Sequence, residues 1–285
     1  MTQFINGNQI SNKIIEQFAP QLERLGRKPK LVGVCILSLD ASLNQAAFAF
    51  LDIKRKTAER AGLETELIQL DGTQPAWKLR RQIRKLALAD DVDGLVIQLP
   101  TSFEKNAQQY IINAIPPEKD PDVLTEKHIG AFMVNRSLIL PPCVEAVRQA
   151  FLCHDIRPEA RHIVVVGYGH LTGRPISHWL ATQKATVTVI NELTPNPADI
   201  ARTADIIVSG TGQPGLVNES WIKDGAILID FGYGRDSYGK MIGDIVLPTN
   251  SKASLVSPVP GGMGPIMVAC LLQNTLTLAS RRQSL

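Results

Sequence analysis

Residues 162–173 read His162-Ile163-Val164-Val165-Val166-Gly167-Tyr168-Gly169-His170-Leu171-Thr172-Gly173. The apolar run is short for a helix and β-branched throughout, which suits a buried strand. It passes directly into a Gly-x-Gly-x-x-x-Gly turn at a predicted helix start. Glycines there let the backbone approach a pyrophosphate, whose charge is favoured by the helix N-terminus. A tight turn without a ligand would use the same glycines. The strand before and the helix after are what favour a dinucleotide site, with Gly167, Tyr168, Gly169 and Gly173 as candidate contacts.

The next predicted strand, Thr186 to Ile190, ends at Asn191-Glu192, roughly 25 residues past the first glycine and about where such a domain places an acidic ribose ligand. A carboxylate accepts hydrogen bonds from the ribose hydroxyls of NAD and repels the 2′-phosphate of NADP. Glu192 therefore favours NAD, unless it is a solvated loop residue. Further strands are expected at Ile206 to Ser209 and Ala226 to Ile229. Glycine-bearing turns follow these runs at Gly210-Thr211-Gly212-Gln213-Pro214-Gly215, at Asp230-Phe231-Gly232-Tyr233-Gly234 and at Pro258 to Pro265. Ligands of open α/β sheets sit at the carboxyl ends of strands, which makes Tyr233 a cofactor candidate too.

The first half repeats the alternation. Strand-like runs at Leu31 to Leu37, Glu66 to Leu70 and Gly94 to Leu99 are separated by helix-forming segments at about Asn44 to Gly62 and Trp77 to Leu88. Short apolar runs alternating with amphipathic segments indicate a parallel sheet covered by helices. A proline-rich passage from Ile115 to Pro142 then leads into a helix at Val144 to Cys153, and the domain boundary is placed there. The expected organisation is two α/β domains: 1–142, with a terminal helix 265–285 packing back on it, and a Rossmann-type domain over 143–264.

Composition narrows the partners. Thirty Lys and Arg against 27 Asp and Glu leave a net charge of +3, and no basic run stands out from the rest, which does not invite nucleic acid or a membrane surface. The N-terminus lacks a basic segment followed by a long apolar run, and no uninterrupted apolar stretch approaches ~20 residues, so a cytoplasmic protein is expected. Cys35, Cys143, Cys153 and Cys270 are widely spaced and read as small buried hydrophobes in a reducing compartment. His128, His154, His162, His170 and His178 are scattered, with His170 the nearest to a candidate ligand. No metal constellation is present. Of four tyrosines, none precedes Tyr110.

Taken together and in order, several strings resemble the bifunctional methylenetetrahydrofolate dehydrogenase/cyclohydrolase family along nearly the whole chain. They are Lys54-Arg55-Lys56 with Ala61-Gly62, Asp93 to Pro100, Lys119-Asp120-Pro121-Asp122, Gly173-Arg174-Pro175, Ala204 to Val208, Gly225 to Asp230, Gly243-Asp244 and Pro258 to Pro265. The resemblance implies a folate cleft between two domains, usually in a homodimer. It also implies oxidation of 5,10-methylenetetrahydrofolate with NADP or NAD, followed by hydrolysis of the methenyl product to 10-formyltetrahydrofolate. By the same resemblance, Lys54 handles proton transfer around the folate N10 and the attacking water, Gln98 holds that lysine, and Asp122 anchors the pterin. Phe50, Pro260, Gly261 and Gly262 join Asp122 as substrate contacts. Lysine suits such a role because its pKa falls readily on desolvation.

The departures carry information of their own. The family's tyrosine four residues before the lysine is Phe50, and the serine three residues earlier is Ala47. A phenyl ring can stack on a pterin but cannot hydrogen-bond, so hydrolysis, which needs an activated water, is expected to be weakened more than hydride transfer. The segment Ser38 to Gln45 reads as a loop longer than the family's. Val123 replaces a glycine, Val144-Glu145 a threonine-proline, and Met267 a threonine. Tyr168-Gly169 and Glu192 replace the arginine-serine pair and the serine that support a 2′-phosphate. These changes also fit a non-catalytic or altered folate- or nucleotide-binding relative, although retention of Lys54, Gln98 and Asp122 together argues for an enzyme.

Overall fold

Runs of β-branched residues become strands, and helix formers between them cover the faces. The computed structural model describes residues 2–236 and 238–283. In chain order the elements are β1 (Gln3–Phe4), α1 (Gly7–Glu16), α2 (Ala19–Leu25), β2 (Lys30–Leu37), α3 (Ala41–Arg60), β3 (Glu64–Asp71), α4 (Ala76–Ala87), β4 (Gly94–Ile97), α5 (Lys105–Ile112), α6 (Glu126–Met133) and α7 (Pro142–Cys153). They continue with β5 (His162–Val166), α8 (Gly173–Thr182), β6 (Thr186–Ile190), α9 (Pro197–Ala201), β7 (Ile206–Ser209), β8 (Ile227–Asp230), β9 (Gly234–Arg235), β10 (Met241–Ile242), β11 (Leu255–Val256) and α10 (Met263–Gln283).

By their contacts these residues form two units: Met1–Asn12 with Cys143–Met267, and Lys13–Pro142 with Val268–Leu285. The sequence placed 1–142 in one domain, but the first twelve residues belong with the C-terminal part. The reason is strand pairing. β1 adds in parallel to β11, with Gln3 opposite Leu255 and Phe4 opposite Val256, and Ile5 is fully buried. A two-residue strand is too short to announce itself by periodicity.

The unit containing Cys143–Met267 holds a six-stranded sheet in the order β1-β11-β8-β7-β5-β6, with every pairing parallel. β5 lies between β6 and β7, where the winding direction reverses, and open α/β sheets bind ligands at that point. Val164, Val166, Ile207 and Leu228 are buried at 2% exposure or less, as expected for strands covered on both faces. β9 and β10 form a short antiparallel hairpin beyond β8.

The unit containing Lys13–Pro142 holds a parallel three-stranded sheet, β3-β2-β4. On one face, Val32, Val34, Leu95 and Ile97 pack with Leu79, Ile83 and Ala87, which recur every four residues along α4 and so form one apolar stripe. α3 begins at Ala41 instead of about Asn44, so Ser38 to Gln45 is not a long loop. The Asn44 side chain reaches back, its Oδ1 accepting from the Ser38 N–H (2.7 Å) and its Nδ2 donating to the Ser38 carbonyl (2.8 Å). That local bond secures the first turn of the helix.

α10 is long and apolar enough to cross a membrane, with a window mean hydropathy of 1.3, yet 61% of that window is buried inside the protein. It is a core helix. The buried Asn274 donates to the carbonyls of Pro121 (2.9 Å) and Leu140 (2.8 Å), and Arg282 donates to the carbonyl of Asp90 (2.9 Å). Of the four cysteines, Cys153 is exposed on α7, against the expectation that all are buried; none is in a disulfide.

Candidate active site

The unit of Lys13–Pro142 brings Lys54, Gln98 and Asp122 into one neighbourhood. Ala47, Phe50 and Lys54 are spaced by three and four along α3 and therefore share a helix face. The Lys54 side chain is half-buried and its Nζ donates to Gln98 Oε1 at 3.0 Å. Gln98 directly follows β4, its N–H extending the ladder to the Val34 carbonyl, while its Nε2 donates to the Leu99 carbonyl at 2.8 Å. That second bond fixes the amide orientation and leaves the oxygen facing Lys54. The neighbouring cations turn elsewhere: Arg55 pairs with Asp52 and Glu59, and Lys56 with Asp52, all near the helix surface. Of the three consecutive cations, one enters the site and two form the solvated face expected of a charge run.

Asp122 sits in the turn after Pro121. Burial pushes its carboxyl above the usual range, the Lys54 charge opposes this and the Asp120 charge adds to it. Asp120 itself is buried and braces the turn, its Oδ2 accepting from the N–H groups of Leu124 (3.0 Å) and Thr125 (2.9 Å). Val123 is held at φ 57° with 2% exposure. A left-handed backbone costs a non-glycine residue roughly 1–2 kcal/mol, and the turn imposes it although the side chain is β-branched.

The dinucleotide candidates lie in the other unit, at the switch point of its sheet. Gly167 follows β5 with φ 91°, its N–H bonded to the Ile190 carbonyl at the end of β6 (2.8 Å). A Cβ at Gly173 would lie 2.0 Å from the Gly167 carbonyl oxygen, so only glycine closes this turn. A Cβ at the exposed Gly169 would meet nothing within 4 Å, which leaves open space beside the backbone at the start of α8. An open glycine turn at a helix N-terminus fits a pyrophosphate. Tyr168 is exposed and lies under the Arg174 guanidinium, whose carbon is 5.3 Å from the ring centre and whose Nε donates to the Tyr168 carbonyl (3.2 Å). Glu192 is exposed just beyond β6, and Tyr233 is exposed beyond β8. His170 Nε2 is buried with no hydrogen-bond partner among the described residues, and burial, with the Arg174 charge, lowers its pKa.

Pro260, Gly261 and Gly262 belong to this same unit, where the Gly7 N–H donates to the Gly261 carbonyl at 2.9 Å. Glu145, one of the departures, is buried on α7 and accepts from Arg148 (2.6 and 2.7 Å) and Gln149 (2.7 Å).

The tetrahydrofolate dehydrogenase/cyclohydrolase catalytic domain matches residues 5–122, and the NAD(P)-binding domain of the same family matches residues 141–283. The chain belongs to the tetrahydrofolate dehydrogenase/cyclohydrolase family. It is similar to the bifunctional protein FolD of Staphylococcus haemolyticus, 31% identical over 100% of this chain and 99% of that protein. The crystal structure of the bifunctional enzyme FolD from Campylobacter jejuni superposes with a TM-score of 0.90 at 27% identity, covering 99% of this chain and 100% of that one. The Trypanosoma brucei methylenetetrahydrofolate dehydrogenase-cyclohydrolase, solved with NADP and an inhibitor, gives 0.88 at 31% identity, covering 100% and 99%.

Within this tetrahydrofolate dehydrogenase/cyclohydrolase fold, the reading from sequence left Asp230 and Asp244 without a role. Both are buried, and they meet beyond the ends of β7 and β8. The available signal was two aspartates next to glycines near strand ends. Fourteen residues separate them, and nothing local indicates that they meet.

Proposed function

We propose that this chain is a folate-dependent dehydrogenase and cyclohydrolase in which Lys54, Gln98 and Asp122 form the reactive group of residues, NAD is preferred to NADP, and hydrolysis is the weaker activity. The bifunctional chemistry is that of the family. The observation that carries the assignment of residues is the Lys54–Gln98 bond of 3.0 Å beside the half-buried Asp122 carboxyl, which the Lys54 charge reaches.

The nicotinamide of bound NAD(P) takes hydride from the methylene carbon between N5 and N10, leaving the methenyl cation. Gln98 restrains the Lys54 amine so that it faces that carbon. Asp122, half-buried, binds the polar edge of the pterin, and the Phe50 ring offers the pterin a stacking face. In the second step water adds to the methenyl carbon and gives its proton to Lys54. The hydroxyl now on that carbon releases its proton as the carbon–N5 bond breaks, N5 takes the proton held by Lys54, and the formyl group stays on N10. Positioning suffices for hydride transfer, whereas hydrolysis also needs a base, and Phe50 brings no hydroxyl to that base.

On the cofactor side, Gly167, Tyr168, Gly169 and Gly173 supply the pyrophosphate turn and Glu192 the ribose acceptor, with Tyr233 as a further cofactor contact. The exposed carboxylate of Glu192 supports NAD. The protein is a cytoplasmic homodimer, and the two units correspond to a folate domain and a cofactor domain.

The test is to follow formation and decay of the methenyl product with NAD and with NADP, in the wild type and in Lys54→Ala. Methenyl formation with NAD and slow decay, with decay abolished in the variant, is expected. Folate and dinucleotide binding without turnover would instead establish a non-catalytic relative, the reading favoured by the changes at Phe50 and Val123.

A further inference from the structure

Two carboxylates outside this chemistry occupy the unit of Cys143–Met267. Asp230 ends β8 at 2% exposure, and Asp244 lies in the segment after the β9–β10 hairpin at 0%. Asp230 organises that segment. Its Oδ1 accepts from the N–H groups of Gly232 (2.7 Å) and Asp244 (3.2 Å), and its Oδ2 from that of Ile245 (2.9 Å). Its own N–H donates to Ser257 Oγ at 2.6 Å. The approach is so close that a Cβ on Gly243 would lie 2.0 Å from Asp230 Oδ2.

Asp244, held in this way, reaches the neighbouring strand end. Its Oδ2 accepts from the Ser209 hydroxyl (2.8 Å), at the end of β7, and from the Thr211 N–H (2.6 Å) in the turn that follows. Among the described residues its Oδ1 has no hydrogen-bond partner. Burying a carboxylate with one oxygen unsatisfied is costly, and a neutral side chain would close an ordinary turn. What the side chain supplies is an acceptor that makes two directional bonds to one short segment. That segment bears directly on the dinucleotide turn: a Cβ at Gly167 would lie 3.0 Å from Thr211 Cγ2, and one at Gly210 would lie 2.8 Å from Thr172 Cγ2.

We infer that Asp244 is a positioning residue for the dinucleotide, holding the turn after β7 against the turn after β5, with Asp230 setting the backbone that carries it. The inference rests on the reading of Gly167–Gly173 as the cofactor turn. Loss of the Asp244 acceptor leaves Ser209 and Thr211 without their partner and loosens the wall of that turn. Cofactor binding should weaken while the chemistry, carried by residues of the other unit, changes little.

Calorimetric titration of NAD and NADP into wild type, Asp244→Ala and Asp244→Asn, beside thermal melts and dehydrogenase kinetics, provides the test. Asp244→Ala should weaken binding about tenfold or more and raise KM in step, with kcat falling less than about threefold. Asp244→Asn, whose amide oxygen accepts from the same two donors, should bind within about threefold of wild type. A role in stability alone would lower the melting temperature and leave the affinity of the folded protein unchanged, which would overturn the inference. Should Asp244→Ala not fold, Ser209→Ala decides, with about threefold weaker binding expected and unchanged binding overturning it. If the wild type binds neither dinucleotide, the cofactor reading falls and this inference with it.

Discussion

Lys54 and Gln98, 44 residues apart in the chain, meet through a single hydrogen bond of 3.0 Å between Nζ and Oε1. One comes from a helix and the other from the end of a parallel strand. A rigid sheet thereby fixes the tip of a flexible side chain. Replacing Gln98 by leucine keeps the volume and removes the acceptor. An unmade bond to a half-buried amine is worth about 1–3 kcal/mol, so hydrolysis should slow roughly ten- to hundredfold. Methenyl decay in Gln98→Leu measures it, and a rate equal to wild type would remove Gln98 from the site.

Phe50 lies one helical turn before Lys54 on the same face of α3. Phe50→Tyr restores a hydroxyl where the family has one. The ratio of hydrolase to dehydrogenase rate should rise about tenfold, consistent with one regained hydrogen bond of roughly 1–1.5 kcal/mol. Purified variant and wild type assayed side by side give the ratio. A fall in both activities together would mean that the ring packs where no hydroxyl fits.

Glu192 stands exposed after β6, with the next residues locked in a turn by Asn191 Oδ1 accepting the Leu193 N–H (3.0 Å). Glu192→Ser removes the charge that repels a 2′-phosphate and leaves the turn intact. KM for NADP should drop by about tenfold and KM for NAD should rise, since one screened like-charge contact is worth on the order of 1 kcal/mol. An unchanged NADP:NAD preference would place the adenosine ribose elsewhere.

Burial pushes the Asp230 carboxyl up to about 6; three backbone N–H groups pull against that shift and the Asp244 charge adds to it. Ser257, Ser209 and those N–H groups surround the pair, and Asp244 is the titratable partner among them. A carboxyl whose pKa is raised by folding holds its proton more tightly in the native state. Its contribution is therefore full below the unfolded value of 3.8 and is lost as pH rises through about 6. Between pH 5 and pH 7 this amounts to about 1 kcal/mol. Urea unfolding should show the wild type losing that much more stability than Asp230→Asn across the interval. Parallel pH trends would contradict it.

Much of this molecule is legible in its residues. The strands at His162–Val166 and Ile206–Ser209 fall where the apolar runs predicted them, because a strand buried on both faces has to be apolar along nearly its whole length, and the half-buried edge strand Thr186–Ile190 is marked by its β-branched residues. The glycine turn after β5 is equally readable, since Gly173 packs where no Cβ fits. The string Lys54-Arg55-Lys56 is different. Its three cations are equivalent on paper, and the direction of each depends on what the helix faces.

Sequence alone thus determined the α/β class, the family and the identity of the candidate site residues, all of which rest on local pattern and residue chemistry. Tertiary structure decided the rest. It assigned β1 to the sheet of the C-terminal unit, turned Lys54 toward Gln98 while Arg55 and Lys56 stayed at the surface, held Val123 in a glycine's conformation, and joined Asp230 to Asp244. The physical reason is the same in each case. Hydrogen bonds and burial act between groups that are neighbours in space, and residues far apart in the chain become neighbours only when the sheets form.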